Sequence, residues 1–426
     1  MVLEFKLKNF KSFREEAVLS LSSETSKLKP NNVHTVVNEK GQKFRVSKAS
    51  VIYGANASGK SNLIKALAGL IDYIVSKPSV GDKISIYGPF SFDMESLNRP
   101  TNYQLIFLGP SDIKFDYKIK VSSNAVLEES LDYFPEGRRN NLFKRSSQSE
   151  SAEKVEEYTI GHKKYAIFSN QSLLSKFGEE PHTILTEVYL YFKNKFNTNA
   201  SAVPERIRKR NTVKILMENE RLKESLTQLL RVADTKIDGI DIELEQIQEA
   251  EDMVSRVRNV FRIPTPSIRY IHDMYMGDSV IEAGGAYIPI ELESMGSQIL
   301  FTLGTDILRS IQMGQIMIVD ELDSSLHPFV TKLLVMLFLS SKINTKGAQL
   351  IFNTHDVTLL DETLFRKDQV WFVEKNEKGE SDLYALSDFE KLREDTPFEK
   401  WYLAGKFGGL PNIDSIESIF ANESAH

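Results

Sequence analysis

The chain contains no cysteine, which excludes a disulfide framework, a thiolate metal site and a cysteine nucleophile. It also lacks an excess of positive charge. Its 53 Lys and Arg stand against 59 Asp and Glu, a formal net charge of −6, so any nucleic-acid contact must come from a local patch rather than from an overall polycation. Long apolar runs are missing too. The densest, Leu333 to Leu339, is far shorter than the roughly 18–20 residues that span a bilayer and reads as a buried helix. The opening residues Met1 to Glu16 carry charges every few positions, where a secretory signal needs an unbroken apolar stretch. Secretion and membrane insertion are therefore not expected, and a reducing, cytoplasmic location is. What is present, 426 residues that are 41% hydrophobic and 26% charged, fits a soluble globular chain of two or three structural units.

Leu3, Phe5 and Leu7 alternate with Glu4, Lys6 and Lys8, the period of a half-buried strand. Ala49 to Tyr53 is a short apolar run leading into Gly54. Beyond Lys60, the apolar positions Leu63, Ile64, Leu67, Leu70, Ile71 and Ile74 recur at helical spacing until Pro78. This predicts strand, glycine-rich loop, helix. From about 84 to 167 the pattern is strand-like and predicts a β-rich lobe, clearest at Tyr103–Phe107 and Phe115–Ile119. From about 170 to 260 it reads as helical, including the acidic stretch Asp241 to Asp252. After Pro264, apolar strands at Ile316–Val319, Leu350–Phe352 and Val370–Val373 alternate with helical or turn segments. The expectation is an α/β core split in two, with residues 1–168 as its first half, 169–263 as a helical insertion and 264–426 as its second half. No internal repeat or sustained heptad pattern is present.

Gly54-Ala55-Asn56-Ala57-Ser58-Gly59-Lys60-Ser61 matches G-x-x-x-x-G-K-[ST] in the strand–loop–helix context that this motif requires. Glycines let backbone N–H groups curl around phosphates, and the following helix N-terminus favours negative charge. Lys60 would reach the β- and γ-phosphates, and Ser61 would hold Mg²⁺. Ile316 to Val319 followed by Asp320 and Glu321 suits a buried strand that delivers Asp320 to the metal and Glu321 to an attacking water. A second apolar strand ends at Asn353-Thr354-His355-Asp356, where His355 is a candidate γ-phosphate sensor. Glu293-Ser294-Met295-Gly296-Ser297-Gln298 opens a helix, and local sequence admits two readings of it: an anion-binding turn, or an ordinary N-cap at Ser294 or Ser297.

Taken in order, these elements resemble an ABC-type ATPase head of the SMC, RecF and OLD kind, over nearly the whole chain. Gly54 to Asn62 looks like that group's Walker A motif, and Asn9-Phe10-Lys11-Ser12-Phe13 like its first-strand motif. Ser294-Met295-Gly296-Ser297-Gln298 matches the S-x-G-x-Q part of its signature. Glu321 to Pro328 resembles the final Walker B glutamate running into the D-loop, and Thr354-His355-Asp356 the switch histidine. More narrowly, Asp320 to Pro328, Asp368 to Lys375 and Phe407-Gly408-Gly409-Leu410-Pro411 look like the stand-alone ATPases of bacterial abortive-infection systems, the AbiLii and RloA-like group, to which the ATPase of the PARIS system is similar. The resemblance implies an ABC-type P-loop head and two heads, as a homodimer or a larger homo-oligomer, that sandwich two ATP molecules. Each ATP would lie between Gly54–Ser61 of one subunit and Ser294 and Gly296 of the other. Glu321 would polarise water, His355 contact the γ-phosphate and Asp323 couple the sites. The resemblance further implies ATP and Mg²⁺ as cofactors and a second defence protein, a toxin or nuclease, as partner.

The alternative is a DNA-maintenance ATPase like RecF, with phosphate contacts at Arg138-Arg139 through Lys144-Arg145 and at Arg206 through Arg210. For both clusters a solvated loop or helix face is the simpler expectation. No glutamine fits a Q-loop, since Gln104 lies on an expected strand, and Lys11 and Arg14 are the candidates for adenine contact. The insertion, being unnecessary for ATP chemistry, is the expected partner surface.

Overall fold

The structure is a computed structural model that describes residues 1–26, 28–147, 154–199, 205–233, 235–244, 266–276, 279–390, 392–393 and 396–411. Its central layer is a six-stranded sheet. In spatial order the strands are β12 (Phe196–Asn199), β16 (Ile316–Val319), β17 (Gln349–Asn353), β5 (Ala49–Tyr53), β18 (Val370–Lys375) and β19 (Ser381–Ala385), parallel except for β19. All five residues of β5 and all four of β16 are buried, as apolar strands covered on both faces must be. Alternate residues then serve two cores. Ile52, Ile316, Ile318, Ile351 and Trp371 pack on one side with α1 (Lys60–Val75) and α3 (Thr183–Lys195). Val51, Met317, Leu350, Phe352 and Phe372 pack on the other with α5 (Glu220–Val232), α6 (Met295–Met313) and α7 (Pro328–Leu339). The apolar run Leu333 to Leu339 is the second half of α7.

The expected β-rich lobe is a six-stranded antiparallel sheet in the order β2 (Ala17–Ser20), β1 (Val2–Lys8), β6 (Thr101–Leu108), β7 (Lys114–Val121), β8 (Val126–Phe134), β9 (Asn140–Ser146). Phe5, Leu105, Phe107, Phe115 and Tyr117 face the core that this lobe shares with α1, while Lys6, Gln104, Lys118, Ser130 and Lys144 stand in register on the opposite face. The remaining strands form a hairpin of β3 (Val33–Val37) with β4 (Lys43–Ser47), another of β10 (Val155–Ile160) with β11 (Lys163–Phe168), and a three-stranded antiparallel sheet. That sheet orders β13 (Gly239–Leu244), β14 (Pro266–Met276) and β15 (Ser279–Pro289).

Two elements inside 169–263 join the central layer: β12 pairs with β16, and α3 packs beside α1. The stretch expected to be helical from Asp241 starts instead as a strand. In β13, Ile240 and Ile242 alternate with Asp241 and Glu243, and Ile240 lies buried opposite Tyr270. A period of two in a half-buried segment favours sheet over helix. Residues 245–252 of that stretch lie outside the described residues. Among the described residues, no helix is long and apolar enough to cross a membrane.

Parallel strands end on a common edge, so the loops after Tyr53, Val319 and Asn353 converge although the sequence holds the first about 260–300 residues from the other two. In open α/β sheets, ligands bind at that carboxyl edge.

Candidate functional site

At the carboxyl edge β5 hands the chain to Gly54 (φ 150°), and the loop closes at Gly59 (φ 120°), the residue before α1. A Cβ on Gly54 would collide with the Val373 carbonyl oxygen of β18. A Cβ on Gly59 would come within 2.5 Å of Ser381 Oγ and 2.7 Å of Ser12 Oγ. Glycine is required at both places, on grounds of dihedral angle and of space. No side chain caps α1, so its first N–H groups remain for an anion. Asn56 and Ala57 are exposed at the tip of the loop. Lys60 is almost fully buried and donates to the carbonyl oxygens of Gly54 (2.8 Å) and Ala55 (3.0 Å). Burial pulls its pKa below the ordinary lysine value, while the charges of Glu321, Asp323 and Asp320 push it back up. Three carboxylates from the second half of the chain thus face the ammonium of the first.

The loop is braced from outside. Asn9 (φ 54°) and Lys11 (φ 50°) turn the chain after β1, and Ser12 at the turn accepts a hydrogen bond from Asn62 Nδ2 (2.9 Å) at its hydroxyl and another from the Ser381 N–H (2.7 Å) at its carbonyl. Ser381 Oγ in turn donates to the Ser58 carbonyl. The first-strand motif, the phosphate loop and β19 therefore form one unit. On the other flank a Cβ on Gly409 would lie 3.5 Å from Gly54 Cα. Tyr402, in α8 (Phe398–Leu403), donates to the Gly409 carbonyl (3.0 Å) and packs against Tyr53.

At the end of β16 the side chain of Asp320 is nearly buried. It receives Asn353 Nδ2 (2.7 Å) and pairs with Lys65 (3.5 Å), which sits one turn beyond Ser61 on the same face of α1. Lys65 thus ties α1 to the end of β16 one turn beyond Ser61. A hydroxyl and a carboxylate are hard oxygen donors suited to Mg²⁺. Among the described residues no group of three or more His, Asp or Glu could hold a metal, so the ion would draw its other ligands from nucleotide and water. Glu321 is exposed in a left-handed conformation (φ 56°), its N–H donating to Asn353 Oδ1. Asp323 accepts the backbone N–H of His355 (3.2 Å), and the His355 side chain is exposed on this edge.

Ser294 is the N-cap of α6, accepting the Ser297 N–H (3.1 Å), so it does make the ordinary cap that local sequence allowed. A Cβ on Gly296 would lie 3.1 Å from the Ser325 carbonyl, which places the signature-like turn against the D-loop of its own chain. Lys11 lies close to Lys65 and Asp320: burial and Lys65 lower its pKa, and Asp320 opposes them. Arg14 is engaged by Glu380 (2.7 Å) and Asp93 (3.5 Å), and Gln104 bonds Asp116 within the lobe.

The basic clusters change meaning. Arg145 is fully buried, ion-paired with Glu129 (3.2 Å) and stacked on Tyr158, and Arg139 pairs with Asp132 (2.8 Å). In the second cluster Arg208 lies near the half-buried Asp306 of α6, and Lys209 donates to Gln298 (3.4 Å). Burial raises the Asp306 pKa to about 6 against the pull of Arg208 and Arg309. Arg145 thus serves internal packing and is not a surface phosphate contact, while Arg139 stays exposed beside Asp132.

Sequence reading missed Ser12, Ser381, Gly409 and Asn353 as parts of the site. Ser12 lay in the first-strand motif and Gly409 in the tail motif with no role assigned to either, and Asn353 carried a local signal as the polar end of an apolar strand.

A family described as "AAA domain, putative AbiEii toxin, Type IV TA system" matches residues 49–361, well over half of the chain. No curated protein matches. Similar solved structures include an SMC head bound to the C-winged helix domain of ScpA, 14% identical, covering 90% of this chain and 97% of that one at a TM-score of 0.42. The SMC head domain from Thermotoga maritima is 16% identical over 90% and 98%, with a TM-score of 0.40. The recombination mediator RecF with ATP is 13% identical over 90% and 97%, with a TM-score of 0.37.

Proposed function

The chain belongs to this AAA-domain family, and from that premise we propose that it is an ATP-hydrolysing switch whose heads close in pairs around ATP to control a partner toxin or nuclease in bacterial antiviral defence. One observation carries the reading. The buried Lys60 of the glycine loop and the strand ends that carry Asp320, Glu321 and His355 meet at one carboxyl edge of the sheet, where an ammonium could hold phosphate and carboxylates could hold a metal and act on water. In this reading the N–H groups of Gly54 to Lys60 cradle the phosphates, and Lys60 turns from its two carbonyls to the β- and γ-phosphates. Ser61 and Asp320 would hold Mg²⁺, which supplies charge neutralisation when bound with the nucleotide. The Glu321 carboxylate orients and polarises water, His355 contacts the γ-phosphate, and Asn62 braces the loop through Ser12. Ser294 and Gly296 from a second copy would complete each site, with Asp323 linking the two.

The defence role rests on the family and on the sequence likeness to the AbiLii, RloA-like and PARIS ATPases. The DNA-maintenance alternative loses Arg145, which is buried against Glu129, and keeps the exposed Arg139.

The test compares solution mass and phosphate release of wild type and Glu321→Gln, with and without Mg-ATP at matched concentration. The expected result is that wild type hydrolyses ATP, while Glu321→Gln binds it, barely turns over and accumulates as an ATP-dependent dimer or larger assembly. Full turnover by Glu321→Gln with no change of mass in either protein would overturn the paired-head mechanism.

A further inference from the structure

We infer that Asn353 is a positioning residue of the hydrolytic site, its carboxamide holding the side chain of Asp320 and the backbone of Glu321 so that the Glu321 carboxylate stays aimed at the edge where phosphate and water meet. This rests on the reading above that Glu321 acts on water.

Asn353 is the last residue of β17 and is fully buried. A buried carboxamide needs partners for its donor and its acceptor, and here the neighbouring strand end supplies one of each. Nδ2 donates to Asp320 Oδ1 (2.7 Å), and Oδ1 accepts the N–H of Glu321. The Asn353 carbonyl accepts the N–H of Leu322 (3.2 Å). Three consecutive residues are thus fastened to one.

The residue in the middle needs fastening. Glu321 has φ 56°, a left-handed conformation that is unfavourable for a side-chain-bearing residue and persists only where its surroundings dictate it. Val319 and Leu322 on either side are buried while Glu321 is exposed, so the turn is what sends its carboxylate outward from the sheet edge. Without the Asn353 acceptor, the Glu321 N–H loses its partner, and the bonds that stay, Leu322 N–H to the Asn353 carbonyl and Ser324 N–H to the Glu321 carbonyl, leave that N–H free to turn. Relaxation toward right-handed dihedrals would swing the carboxylate away. A displacement of about 1 Å in a reacting group can cost roughly 100-fold in rate.

A second link runs the other way, since Asp323 accepts the N–H of His355, two residues beyond Asn353. The 320–323 loop and the 353–355 segment are therefore laced reciprocally, each by a side chain onto the backbone of the other. Movement of the His355 segment on nucleotide binding would be transmitted to Glu321 through Asn353.

The experiment uses the full chain and measures kcat and KM for ATP in wild type, Asn353→Ala, Asn353→Asp, Glu321→Gln and the Glu321→Gln/Asn353→Ala double variant. Nucleotide affinity is measured separately by equilibrium binding. Asn353→Ala is expected to lower kcat about 100-fold while KM and affinity stay within about threefold. Because Asn353 acts through Glu321, the double variant should be no slower than Glu321→Gln alone.

Asn353→Asp preserves shape and guards against a folding defect. It keeps the acceptor for Glu321 but sets a carboxylate against Asp320. With the acceptor kept and the donor lost, its kcat should fall between those of wild type and Asn353→Ala. Near-wild-type kcat in Asn353→Ala, additive losses in the double variant, or an Asn353→Asp kcat as low as that of Asn353→Ala would each overturn the inference while leaving the ATPase reading intact. Undiminished turnover in Glu321→Gln would remove both.

Discussion

Gly59 holds a φ of 120° between two serines from opposite ends of the chain, Ser12 and Ser381. The loop's curvature is thus set by contacts far outside its motif. Alanine at this position must bear both the strained dihedral and the two hydroxyls, at a cost of about 1–3 kcal/mol. We expect Gly59→Ala to lower ATP affinity at least tenfold and to lower the melting temperature by several degrees, read by equilibrium nucleotide binding and thermal unfolding. Ala57 supplies the control. It already sits at φ 60°, so Ala57→Gly relieves strain and should leave the melting temperature unchanged or raised. If the two variants behave alike, φ at Gly59 is not what shapes the loop.

At the level of elements, the lobe is joined to the segment after β11 through a buried ion pair. Glu129 on β8 accepts Tyr117 Oη (2.8 Å), Ser172 Oγ (2.8 Å) and the Leu173 N–H (2.8 Å), and it faces Arg145 across the β8–β9 pair. Removing one partner strands a buried charge, so Glu129→Ala should cost about 3–5 kcal/mol in urea unfolding. The double change Glu129→Leu with Arg145→Met should recover part of that loss. The chain announces some of these elements plainly. β5, the glycine loop and α1 are legible because each step is local: an apolar strand, glycines, then helical spacing. β16 and β17 are legible for the same reason, as runs apolar on every residue. β13 was misread because Asp241 and Glu243 masked a two-residue period carried by only Ile240 and Ile242. Arg145 was misread as a surface cation, although alternation with the inward Phe143 already points it inside. Asn353 and Ser12 could not be assigned from sequence, because their partners become neighbours only through parallel strand pairing and the turn after β1.

On the scale of the whole molecule, the phosphate loop and the signature-like turn reside in one chain, and the proposed mechanism needs them from two. Lys60→Ala and Ser294→Arg should each be inactive alone. Mixed and given ATP, they should recover a substantial part of wild-type phosphate release, since one of the two composite sites then holds an intact loop from one protomer and an intact Ser294 from its partner. Two inactive proteins that stay inactive when mixed, under conditions where mass shows them associating, would place both halves of the site within one chain. The strand order carries one more consequence, for synthesis. β5 appears within the first 53 residues, yet its two neighbours, β17 and β18, begin at Gln349 and Val370. At about 5–20 residues per second the ribosome needs tens of seconds to supply them, and until then the glycine loop is a motif without an edge to stand on. A nascent chain therefore exposes the apolar β5 for most of its elongation and gains the ability to hold a nucleotide almost at the end, so a chain cut short keeps the signature sequence of an ATPase and none of its chemistry.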